Sequence, residues 1–110
     1  MERFVKGEVI VLPFPFSDLS QFKKRPALVV SAPTGNDLIL CEITTRKPTD
    51  AWAVFLPRND FAQGSIRQDS YVRPNKLFTI DNSRVLYKAG RISEGRLKEA
   101  IEKACEIIRN

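Results

Sequence analysis

Residues 23–46 read KKRPALVVSAPTGNDLILCEITTR: a basic run, an apolar run, a turn, and a second apolar run that ends in hydroxyls. Lys23, Lys24 and Arg25 stand before Pro26, whose ring pushes Arg25 out of the helical region into an extended backbone. Ala27, Leu28, Val29 and Val30 then form a short unbroken apolar run, the pattern of a buried strand. Pro33, Gly35, Asn36 and Asp37 are the residues that let a chain reverse, and residues 38–45 (LILCEITT) return. The unit reads as a hairpin-like pair at the centre of a sheet.

Side chains alternate along a strand, so Glu42 and Thr44 share one face while Cys41, Ile43 and Thr45 share the other. Antiparallel pairing sets the start of the first strand beside the end of the second, which brings Arg25 close to Thr44 or Thr45. A cation beside a hydroxyl suits a phosphate. The plainer alternative is that Arg25 is a solvated loop charge and Thr44 an ordinary β-former, and local chemistry on its own favours that alternative.

Outward from this pair, residues 7–12 form a first strand that Pro13 must end or place at a sheet edge, since proline cannot donate to a ladder. Residues 13–24 (PFPFSDLSQFKK) set Phe14, Phe16 and Phe22 among lysines. Rings interleaved with cations suit single-stranded nucleic acid, whose bases stack while its phosphates meet the charges; equally, the rings can staple the loop to the core. Further strands are expected at 51–56, with Trp52 in core or interface, at 70–73, at 76–80 beyond Pro74, and at 85–88. Short strands at regular spacing with Gly, Pro and Asn turns make a small antiparallel β-barrel. At Ser93 the period changes. Ser93 can cap a helix with Glu94 in its first turn, and Leu97, Ala100, Ile101, Ala104, Ile107 and Ile108 recur at three- and four-residue steps. The class is therefore mainly β with α: a barrel carrying one amphipathic C-terminal α-helix.

A chain of 110 residues suits one domain over residues 1–110 and buries somewhat over half of its unfolded surface. The net charge of +5 favours an anionic partner without choosing between nucleic acid, an acidic protein and a membrane surface. The sequence holds no histidine and only two cysteines, Cys41 and Cys105, far apart. Zinc sites and Cys/His nucleophile pairs are thereby excluded, and no metal or other cofactor is expected. The two thiols read as small buried hydrophobes in a reducing cytosol. With no signal peptide at its start and no stretch long enough to span a bilayer, the chain is expected in the cytoplasm, away from membranes.

Lys6-Gly7-Glu8-Val9 leading to Pro13-Phe14-Pro15, then Lys24-Arg25-Pro26-Ala27-Leu28-Val29, resembles the MazF/PemK toxins of toxin–antitoxin systems. The resemblance continues through Cys41-Glu42-Ile43-Thr44, through Asp69-Ser70-Tyr71-Val72-Arg73-Pro74 and through Leu77-Phe78-Thr79-Ile80-Asp81, and so covers nearly the whole chain in order. It implies an SH3-like barrel with a C-terminal helix, usually a homodimer, acting as a metal-independent endoribonuclease on single-stranded RNA and silenced by a cognate antitoxin protein. The family's Arg-Pro arginine matches Arg25 and its strand-end threonine matches Thr44, so these two are the expected catalytic residues. Lys23, Lys24, Arg73 and Thr45 are expected to contact RNA, together with Phe16, Asn75 and Lys76. If the dimer forms, RNA would run in a groove between protomers past Trp52 or Phe78. One branch of the family uses an arginine and an acid two residues apart in the later strand. Arg73 matches the arginine, but Asn75 stands in the acid's place and Lys76 replaces a frequent glutamine.

RNA carries its own nucleophile, the 2′-hydroxyl, so scission needs in-line positioning and stabilisation of the charge that develops on the phosphate. The proton acceptor is the open point. The resemblance suggests a Brønsted role for Arg25, which an ordinary guanidinium does not easily fill; Glu42 is the nearest carboxylate, yet a cross-strand ion pair is its plainer role. Two rivals stay open from sequence. The fold also serves as a non-catalytic RNA-binding module, and the wider superfamily includes a gyrase poison.

Overall fold

The chain forms β1 (Glu8–Phe14), β2 (Lys23–Ser31), β3 (Asp37–Thr44), β4 (Val54–Leu56), β5 (Phe61–Gly64), β6 (Ser70–Asp81), β7 (Tyr87–Ile92) and then α1 (Glu94–Arg109). This is a computed structural model, and it describes residues 3–14 and 23–110. The seven strands make one sheet in the order β4, β6, β3, β2, β1, β7, β5, with every neighbouring pair antiparallel. The two edge strands, β4 and β5, follow one another in the chain. A flat sheet of this width would hold them about 29 Å apart, at roughly 4.8 Å per strand, whereas the connection through residues 57–60 spans at most about 19 Å at 3.8 Å per Cα step. The sheet must therefore curl until its edges approach. The outcome is a half-barrel, the small barrel expected from sequence.

The alternation expected for β3 holds: Cys41 and Ile43 are buried while Glu42 and Thr44 are half-exposed. Cys41 and Ile43 join Val9, Leu28, Val54, Leu56 and Val72 in one core, which Ala100 of α1 closes. The opposite face of the central strands buries Ile10, Leu12, Phe14, Ala27, Val29 and Leu40 in a second core. This double burial explains why the runs at 9–12 and 27–29 are continuously apolar.

Ser93 caps α1 as expected, its Oγ accepting from the Arg96 amide. The Arg96 guanidinium reaches Asp60 (2.5 Å) and the Phe55 carbonyl, pinning the helix to the β4–β5 connection. Ala100 and Ala104 are buried, but Ile108 is exposed, because the stripe runs past the sheet in the last turn. Cys105 is likewise exposed, against expectation, while Cys41 is buried.

The Lys6-Gly7-Glu8-Val9 motif proves structural. Gly7 holds φ +97°, its N–H bonds the Val29 carbonyl (2.8 Å) and its carbonyl accepts from Ile92 (3.0 Å), so this glycine ties the ends of two strands. Glu8 is buried, accepting from the Val5 amide (2.7 Å) and from Lys88 Nζ (3.0 Å).

Several element boundaries differ from the sequence reading. β1 does not end at Leu12 but runs through Pro13 to Phe14 along β2. Proline is tolerated there because the β7 ladder on the other side of β1 ends at Val11. β3 ends at Thr44 rather than at 45. Residues 51–53 leave the expected strand because Asp50 Oδ1 takes the Trp52 amide (3.0 Å), and a side-chain bond of this kind removes a donor that a ladder would need. The two strands expected at 70–73 and 76–80 are one, β6. Its register with β3 jumps from Glu42 opposite Arg73 to Cys41 opposite Leu77, so residues 74–76 bulge out, a position that tolerates Pro74. The last strand begins at Tyr87 rather than at 85, since the Val85 amide closes a 3-10 turn over Asn82–Arg84. β5 was not foreseen, because FAQG lacks an apolar alternation.

Candidate functional site

The register of β2 with β3 sets Ala27 opposite Glu42, and carried on by two residues it sets Arg25 opposite Thr44. The pairing of β2 with β3 ceases at Ala27 and Glu42, although β2 continues back to Lys23 along β1 and β3 continues to Thr44 along β6. Arg25 and Thr44 thus face one another where the ladder opens. Arg25 lies opposite Leu12 on its other side, and its Cζ sits 5.9 Å from the Phe14 ring centroid. That contact steers the guanidinium by a cation–π attraction and leaves its five donors for other partners. Thr44 Oγ1 accepts from the Arg46 amide (3.2 Å), so the hydroxyl's own hydrogen remains to donate.

Glu42 lies opposite Arg73 on β6, yet the expected cross-strand ion pair is not made. Arg73 turns instead to Asp50 on the β3–β4 connection, with Nη2 2.6 Å from Oδ2, while its Nε is buried without a partner. The Trp52 amide, aided by the Arg73 guanidinium, holds the Asp50 carboxyl below the usual aspartate range. Asp50 was missed from sequence because its partner stands 23 positions along the chain and no local pattern marks it. Arg73, expected as a free RNA-binding cation, is partly committed to this pair. A folded-state pKa below the unfolded one means that Asp50 stabilises the connection above about pH 4. This contribution is lost as pH falls through the depressed value. In Asp50→Ala we expect faster hydrogen exchange at the Trp52 amide at neutral pH, and in the native protein the same loosening only under acid conditions; equal protection in both proteins at neutral pH would contradict the latch.

Of the remaining sequence candidates, Lys23, Lys24 and Thr45 are exposed at the same strand ends. Asn75 and Lys76 are exposed on the β6 bulge beside Cys41 and Glu42. Phe16 lies outside the described residues. Phe78 packs edge-on against Phe14, ring centroids 5.3 Å apart, and Trp52 is half-buried. Burial pushes the Cys41 thiol up to about 12, so it stays protonated and is no nucleophile at neutral pH.

A family model described as PemK-like, MazF-like toxin of type II toxin-antitoxin system matches residues 5–108. The chain belongs to the PemK/MazF toxin family. This toxin shares its fold with MazF from Deinococcus radiodurans, at 21% identity and a TM-score of 0.79 over 100% of both chains. It is similar in the same way to a mycobacterial endoribonuclease solved in complex with its cognate antitoxin, at 14% identity and a TM-score of 0.78 over 97% of this chain and 96% of that one. A chain of the Deinococcus radiodurans MazE-MazF complex aligns at 19% identity and a TM-score of 0.75, covering 98% and 97%. No curated protein matches the toxin's sequence. Among the described residues, no helix of the toxin is long and apolar enough to cross a membrane. Asn75 is exposed on the β6 bulge, and the carboxylate beside Arg73 is that of Asp50.

Proposed function

We propose that this toxin is a metal-independent endoribonuclease that cleaves single-stranded RNA, messenger RNA above all, at a preferred sequence. The observation that carries the reading is the register of β2 with β3, whose last pair is Ala27 with Glu42; carried on by two residues, it puts Arg25 and Thr44 on one face where the ladder opens. Arg25 would pair with the scissile phosphate, and Thr44 would donate a hydrogen bond to a phosphate oxygen as negative charge builds there. The 2′-oxygen bonds to phosphorus, the bond to the 5′-oxygen breaks, the departing oxygen takes a proton from water, and the products are a 2′,3′-cyclic phosphate and a 5′-hydroxyl. The proton released by the 2′-hydroxyl needs an acceptor. A guanidinium is a poor base, so Glu42, on Thr44's face and in no ion pair among the described residues, is assigned that role. Lys23 and Lys24 add sequence-independent attraction for the backbone, with Thr45, Asn75 and Lys76 along the same path.

In this reading the toxin works in the cytoplasm as a homodimer and is silenced by a cognate antitoxin protein; the similar mycobacterial endoribonuclease was solved in complex with its cognate antitoxin, and the Deinococcus radiodurans protein in a MazE-MazF complex. The test is incubation of the purified chain with a long single-stranded RNA in chelating buffer. Discrete fragments ending in 2′,3′-cyclic phosphate and 5′-hydroxyl are expected. A salt-sensitive gel shift with intact RNA would replace the enzyme by a binding module, and inertness towards RNA with stalled gyrase would make it a gyrase poison.

A further inference from the structure

We infer that Phe55 and Tyr71 form a stacking platform for an RNA base next to the reacting nucleotide, an inference that rests on the endoribonuclease reading. The register places them in line with the site. Phe55 of β4 lies opposite Tyr71 of β6, and Tyr71 lies opposite Thr44 of β3. Residues directly opposite in antiparallel strands point to the same face, so Phe55, Tyr71, Thr44 and Arg25 make one row across four strands. At about 4.8 Å per paired strand, Phe55 stands about 10 Å from Thr44, and Arg25 lies beyond Thr44 by more than one strand spacing because the β2–β3 ladder has opened. Those separations suit a neighbouring nucleotide and are too long for the reacting one.

The rings make a defined surface. Their centroids are 5.3 Å apart with the planes tilted by 41°, and Phe55 is 44% exposed while its neighbours Val54 and Leu56 fill the core. Phe55 therefore keeps nearly half of its surface outside the core, and a large ring exposed on an edge strand is a liability unless something covers it. The occupant is argued from charge and continuity. The row ends in Arg25, the Arg73 guanidinium lies on the same face two residues from Tyr71, and the chain carries +5. An anionic strand whose bases carry π-faces fits a surface that pairs rings with guanidinium groups.

The test uses a 2′-O-methyl RNA oligonucleotide, which binds without being cut, spanning a cleavage site mapped with the native toxin. Phe55→Leu and Tyr71→Val keep apolar, strand-compatible side chains while removing the π-faces. Each is expected to weaken binding by about tenfold, with Tyr71→Phe near native. In an abasic scan of the oligonucleotide, removing one particular base should weaken binding to the native toxin and have no further effect on the Phe55→Leu/Tyr71→Val double variant. Native-like affinity of the double variant, with its base dependence intact, would overturn the platform and leave the nuclease reading standing. So would native-like RNA binding accompanied by loss of self-association or of binding to an acidic antitoxin peptide, which would reassign the rings to protein contacts. Failure of the native toxin to bind or cleave any RNA would remove both readings together.

Discussion

Arg25→Ala is expected to slow RNA scission by about 10² to 10³-fold, the cost of deleting one donor to a developing oxyanion, while the protein stays folded. Among the described residues the guanidinium's given partner is the buried Phe14 ring, and losing a half-buried cation–π pair costs about 1–2 kcal/mol. The fold tolerates that loss because the strand around Arg25 is held through its backbone pairing with β1. Arg25→Lys separates charge from shape. Lysine restores the charge without the planar fork that grips two oxygens, so an intermediate rate is expected. Thr44→Val removes the hydroxyl while keeping a β-branched residue, and a smaller loss is expected there. Single-turnover cleavage of an end-labelled RNA, paired with a thermal melt of each variant, makes the measurement. Undiminished scission by folded Arg25→Ala would exclude Arg25 from the chemistry.

Gly90→Ala is expected to be strongly destabilising. Gly90 of β7 lies opposite Gly64 of β5, and a Cβ at Gly90 would fall 2.3 Å from the Gln63 carbonyl oxygen and 3.0 Å from the Phe61 ring. The obstacle is backbone, so no rotamer change relieves it. Among the described residues β5 pairs with β7 alone and must shift or detach, which loosens the edge where the sheet closes on itself. Overpacking of this kind costs about 3 kcal/mol, or on the order of 15 °C in melting temperature for a domain of this size. Gly95→Ala is the control. A Cβ there meets nothing within 4 Å, and alanine is a better helix former than glycine by about 1 kcal/mol, so that variant should melt at or slightly above the native temperature. Scission by the surviving folded fraction of Gly90→Ala should be near native, because Arg25 and Thr44 lie on β2 and β3. Equal melting temperatures for the two variants would show that β5 does not hold the sheet closed.

The face that carries Arg25 and Thr44 could be read from sequence because the information is local. Pro26 keeps Arg25 extended, the 33–37 turn makes the two strands antiparallel, and a period of two assigns Glu42 and Thr44 to one side. The same argument fails for Arg73. Its place on a strand was evident, but its choice of Asp50 over Glu42 depends on a three-residue bulge at 74–76 and on a turn at Asp50, which no periodicity records. Phe55 and Tyr71 were overlooked for a related reason: each looks like an ordinary strand residue until two registers are combined.

By itself the sequence determined the alternating faces, the capped terminal helix and a basic, histidine-free chain bound to work without imidazole chemistry. These follow from neighbours within a few positions, where backbone geometry and side-chain period act directly. Tertiary structure alone decided the closure of the sheet through the β4–β5 connection, the Asp50–Arg73 latch and the four-strand row from Phe55 to Arg25. Each of these depends on the register between segments far apart in the chain, and register is settled only when all the strands satisfy their hydrogen bonds and bury their apolar faces together.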